Sequence, residues 1–154
     1  MSQYYNTSLK NLAHRLRKFK EILNEELTDE IMANEDIIIE MVHDQLYSGL
    51  DGYTRSIHPP YAPRTIKRKL RKGQPTDRVT LRDTGEFYKS LHVAYDGDGF
   101  YIASNDQELS DILKARYGEP ILRLSNENLT FLLHTFIRPS LKEKLKNRIL
   151  NDRA

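Results

Sequence analysis

The chain has 154 residues, of which 38% are hydrophobic and 30% charged, with a formal net charge of +2, five histidines and no cysteine. That length sets one domain, residues 1–154, as the expectation, with enough chain to bury a core, and the lack of cysteine excludes a disulfide scaffold and any thiolate metal site. No segment reaches the ~18 apolar residues of a membrane span, and MSQYYNTSLKNLAHRLRK at the N-terminus has no apolar run of a signal sequence, so a soluble protein with no membrane partner is expected.

Leu9, Leu12, Ala13, Leu16, Phe19, Ile22, Leu23 and Leu27 recur at spacings of three and four, which predicts an amphipathic helix with Ser8 as its N-cap. A second helical pattern runs from about Asn34 through Ile38, Met41, Val42, Gln45 and Leu46, and Gly49 is its natural stop. The Ile37, Ile38, Ile39 triplet has strand propensity, but the spacing that continues to Leu46 favours helix. Residues 1–48 therefore read as a helical N-terminal half.

Residues 49–80 read as a long loop or arm with a basic segment. Gly49, Gly52, Pro59, Pro60 and Pro63 leave no room for a long regular element, and a connection of this length tends to carry function. Tyr53, Ile57 and Tyr61 are its candidate partner-binding anchors. A short helix is expected over about Thr65 to Leu70, ended by Gly73 and Pro75.

Residues 81–154 read as an α+β core. Asp83 or Thr84 is placed to cap a helical turn with Phe87 and Leu91 facing inward. Leu91, Val93 and Tyr95 then alternate with His92 and Ala94, Asp96-Gly97-Asp98-Gly99 supplies the turn, and Phe100 to Ile102 returns, which predicts a hairpin over about 91–104. Asn105 or Asp106 caps a helix burying Leu109, Ile112 and Leu113 and ended by Gly118, and the apolar run over about 120–124 allows a third strand. Ser125 caps a long C-terminal helix with Leu129, Leu132, Leu133, Phe136, Ile137, Leu141, Leu145 and Ile149 inward, kinked or interrupted by Pro139. The fold class is α+β: a small antiparallel sheet packed by helices.

Charge is laid out in blocks. Lys10, Arg15, Arg17, Lys18 and Lys20 share a segment without an acid, residues 21–54 hold ten acids and no lysine or arginine, and Arg64, Lys67, Arg68, Lys69, Arg71 and Lys72 put six cations in nine residues. Such blocks suit opposite faces that meet across a subunit contact and set its orientation. The alternative is that residues 64–72 form a basic nucleic-acid-binding module, each phosphate contact releasing counterions.

Nothing points to an enzyme, a metal or a cofactor. His14, His43, His58, His92 and His134 have no paired ligand spacing, there is no phosphate-binding glycine loop, and DGDG lacks the twelve-residue acidic frame of a calcium hand. No GxSxG elbow occurs, and acid pairs such as Glu25 and Asp29 lie on a face already crowded with acid.

Over about Tyr61 to Ile137 the order of motifs resembles the Mu-type virion-morphogenesis and tail-completion proteins of tailed phages. Thr65, Lys67 and Lys69 precede a Leu81-x-Asp83-Thr84-Gly85 step; Ser90 and the strand from Leu91 follow, then the hairpin, the Tyr117-Gly118 pair and the ILRLS step from Ile121 to Ser125. Tyr61 stands where that family often has tryptophan, and Arg123 where it has glycine. The resemblance implies a structural virion protein at the head–tail junction, in a neck, connector or tail-completion ring, assembled in the host cytoplasm. Its expected partners are copies of itself in a ring, portal, connector or tail-tube proteins, and DNA nearby.

Overall fold

A computed structural model describes residues 9–97 and 99–151. The expected N-cap Ser8, the turn residue Asp98 and the side chain of Ile149 lie outside the described residues. The architecture is α+β, mostly helical with one two-stranded antiparallel sheet and a long C-terminal helix. Contacts divide it into two compact units, residues 9–33 with 134–151 and residues 34–133.

The first unit pairs helix α1 (Leu9–Ala33) with the last helix, α7 (Arg138–Asn151). Their ion pairs fix an antiparallel order: Arg148 meets Glu25 at 3.0 Å and Glu26 at 2.7 Å, while Lys144 meets Glu30 at 2.5 Å one turn further along α1. The hydroxyl of Ser140 also donates to Glu30 at 2.7 Å. Along α1, Ile31 is buried and Ile22, Leu23 and Leu27 are half-buried, but Leu9, Leu12, Leu16 and Phe19 on the same stripe are exposed.

Burial pushes the Glu30 carboxyl up, and the hydrogen bonds from Lys144 and Ser140 with the Lys144 charge outweigh it, so its pKa lies below the ordinary 4.5. A carboxyl lowered on folding stabilises the fold above its unfolded pKa, and that contribution fades as pH drops through the folded value. Glu30→Gln should therefore lower the melting temperature by a few degrees at pH 7. The gap to the natural protein should close as the pH is taken well below 4.5 in a calorimetric series.

The second unit is built around α2 (Glu35–Tyr47), whose Ile38, Val42 and Leu46 are fully buried. Helix α2 packs on β1 (Leu91–Tyr95), which pairs antiparallel with β2 (Phe100–Ser104) so that Val93 faces Ile102 in the core. Glu35 accepts a hydrogen bond from the backbone N–H of Val93 at 2.8 Å, tying the start of α2 to the sheet. Gly97 in the hairpin turn has φ +92°, and the Asp96 carboxylate accepts from the N–H of Gly99. The remaining helices are α3 (Pro63–Arg71), α4 (Glu86–Ser90), α5 (Gln107–Tyr117) and α6 (Asn126–Leu132). Asp106 caps α5 through the Leu109 N–H and Ser125 caps α6 through the Asn128 N–H, as the sequence predicts.

Four details differ from the sequence reading. Residues 119–122 form a 3-10 turn instead of a third strand, because Pro120 at its start fixes φ and removes the ladder donor. The cap of α4 is Gly85 at φ +92°; Thr84 only accepts from the Glu86 N–H at 3.3 Å, and Asp83 serves other partners. Ile112 is 58% exposed, and Ser110 takes the buried position on α5. The C-terminal helix is interrupted, as expected, but ahead of Pro139: a π-helical turn spans Leu133–Ile137 and α7 begins at Arg138. A wider turn there accommodates a proline ring that would otherwise strike the carbonyl four residues back.

Candidate interaction surface

The connection from Gly49 to Pro63 is fastened to the second unit. Leu50 and Ser56 form an isolated antiparallel bridge, and the Gly52 N–H donates to the Pro120 carbonyl at 2.9 Å. Asp51 organises the turn, accepting from the N–H groups of Tyr53 and Arg55 and from the Arg55 guanidinium at 2.8 Å. Burial raises the Asp51 pKa, and the Arg55 and backbone hydrogen bonds outweigh it to hold the carboxyl below its ordinary value. Of the expected anchors, Ile57 is buried and belongs to the core, and only Tyr53 stands out, 51% exposed between the guanidinium groups of Arg55 and Arg123.

Tyr61 is half-buried, and its hydroxyl accepts from the N–H groups of Thr80 and Leu81 at 2.9 and 3.2 Å. These bonds hold Leu81 at φ +53°, a left-handed conformation that costs a branched side chain energy. Tyr88 donates to the Thr80 carbonyl from the other side and stacks on His43, with ring centroids 4.7 Å apart. Burial raises the Tyr88 pKa.

Lys69 closes this latch. It is 2% exposed, and its ammonium donates to the Arg82 carbonyl at 2.6 Å and to Gln74 at 3.1 Å while lying over the Tyr61 ring. Lys72 and Arg68 both reach Asp83, at 2.5 and 3.2 Å. The Lys72 hydrogen bond, opposed by partial burial and helped by the charge of Arg68, holds the Asp83 carboxyl low. Three of the six predicted basic contacts are thus committed within the chain.

The other three, Arg64, Lys67 and Arg71, fall at i, i+3 and i+7 on the exposed side of α3. The same unit carries a counterpart: Asp36, Glu40 and Asp44 fall at i, i+4 and i+8 on the exposed side of α2. None of these six forms an ion pair among the described residues. Each stripe is about 10–12 Å long, so charges of one could meet those of the other turn by turn.

A groove of about 320 Å³ lies beside α3, lined by the motif residues Leu81, Asp83 and Gly85 and by Ile112, Arg116 and Tyr117. Among the described residues no cluster of histidine, aspartate or glutamate could hold a metal ion, and no helix is long and apolar enough to cross a membrane. The sequence missed the polar bracket at Gln45, whose amide donates to the Arg123 carbonyl and accepts from the Ser125 N–H. The signal was a glutamine amid apolar helix positions.

No family model matches the chain, and neither a curated protein nor a solved structure matches it.

Proposed function

We propose that the chain is a structural subunit of the phage head–tail junction, acting by assembly into a ring that docks other virion proteins and not by catalysis. The observation that carries this reading is the pair of exposed, oppositely charged stripes on α2 and α3. A head-to-tail contact joins two different faces of one subunit, and repeated by rotation it closes a ring. Stripes of matched length set the orientation of such a contact. The order of the Leu81-to-Ser125 motifs supports the placement in the virion, in particles assembled in the host cytoplasm.

The test is self-association read by size-exclusion chromatography with light scattering. The natural chain should exceed monomer mass at low salt and fall to monomer at high salt. Reversing Arg64, Lys67 and Arg71 to glutamate should give monomer, reversing Asp36, Glu40 and Asp44 to lysine should do the same, and an equimolar mixture of the two variants should recover assembly, with the two alternating. A monomer at every salt and concentration overturns self-assembly. The rival reading, a nucleic-acid-binding module, has the exposed side of α3 in its favour. It predicts duplex DNA binding that weakens steeply with salt and vanishes when Arg64, Lys67 and Arg71 become glutamine.

A further inference from the structure

Helix α1 carries one apolar stripe over its whole length, and α7 supplies a partner for only part of it. Where α7 lies, α1 is flanked by acids, and α7 answers with Lys144 and Arg148 against Glu25, Glu26 and Glu30. Towards the N-terminus from these contacts the stripe continues through Phe19, Leu16, Leu12 and Leu9, which are 42%, 60%, 45% and 82% exposed. Over that stretch the charge is inverted: residues 9–20 contain no acid, and Arg15, Arg17 and Lys20 lie beside or within the stripe. The strip is three turns of helix, about 16 Å, enough to seat a short partner helix.

We infer that the N-terminal half of α1 is a docking strip for an acidic amphipathic helix of a partner protein. The α1–α7 pair supplies the rule: a helix that packs along α1 brings charge opposite in sign to that beside the stripe. For residues 9–20 that sign is negative. A second copy of the strip is disfavoured, because pairing two of them brings Arg15, Arg17 and Lys20 towards their own copies with no acid between residues 9 and 20. The inference is separate from the head-to-tail contact, which uses α2 and α3.

The probe is a labelled synthetic helix with leucine at alternating three- and four-residue spacing and glutamate on its flanks, titrated with the full chain by fluorescence anisotropy. The expected result is binding that weakens about tenfold between low and physiological salt, with a lysine-flanked peptide of the same apolar pattern at least about tenfold weaker. Leu12→Glu with Leu16→Glu should abolish it, and since both side chains are exposed the melting temperature should hold. Should that variant lose helix, Arg15→Glu with Lys20→Glu gives the second reading: it should weaken the acidic peptide and favour the basic one. Equal affinity for the two peptides, or unchanged binding in both variants, overturns the inference. So does adsorption to phosphatidylserine vesicles without peptide binding, or self-association that the Leu12 and Leu16 changes remove. Reversal of Arg64, Lys67 and Arg71 should leave peptide binding intact, which separates failure of this inference from failure of ring assembly.

Discussion

Gly52→Ala is expected to destabilise the second unit by about 3 kcal/mol or more, read as a lowered urea midpoint. A Cβ at this position would lie 2.5 Å from the Arg123 carbonyl oxygen and closer still to that residue's own Cβ, and neither is the movable end of a side chain. Relief requires the Asp51-centred turn to lift away from residues 120–123, breaking the Gly52–Pro120 hydrogen bond and straining the Gln45 bracket beside it. Gly73→Ala is the control. There the backbone is left-handed at φ +63° but the space is open, so only the conformational cost of about 1 kcal/mol is expected. Similar losses at the two positions would show that close packing at Gly52 is not what fixes the loop.

Lys69→Met should cost about 2 kcal/mol, because the methionine fills the stem's volume but leaves the partly buried Arg82 carbonyl and the Gln74 amide oxygen without their donor. Lys69→Ala removes the stem as well and should cost about 3–4 kcal/mol in all. Lys67→Met, two residues away and exposed, should stay within about 0.5 kcal/mol of the natural chain. Denaturation midpoints of the three variants check the order. If Lys67 and Lys69 proved equivalent, the latch around Leu81 would not depend on the ammonium group.

Periodicity and caps made much of the fold readable. The spacing from Ile38 to Leu46 located α2, Asp106 and Ser125 capped the helices they preceded, and the glycine-rich turn after Tyr95 located the hairpin. What stayed hidden depends on groups brought together from distant positions. Nothing local distinguishes Lys69 from Lys67; burial is decided by the Arg82 carbonyl and the Tyr61 ring, which arrive from other segments. Ile57 had the look of a loop anchor because it lies in a segment bounded by Gly52 and Pro59, yet the Leu50–Ser56 bridge and the Ile57 N–H to Gly49 carbonyl bond turn it inward. Pro120 alone could have warned against a third strand. The charged stripes were legible as blocks, but which members face outward followed only once Asp83 and Lys69 had taken theirs.

Asp83 has a consequence for any polyanion that approaches α3. It holds Lys72 and Arg68 as a built-in counterion, and with Lys69 turned inward the segment meets an external phosphate chain with three outward cations where its composition counts six. If each contact releases about 0.9 of a condensed ion, the logarithm of duplex affinity should fall with that of salt at a slope of about 3, where six contacts would give about 5. Half of the electrostatic gain available to a nucleic-acid ligand has already been spent within the chain, whereas a three-acid stripe on a neighbouring subunit loses nothing by it.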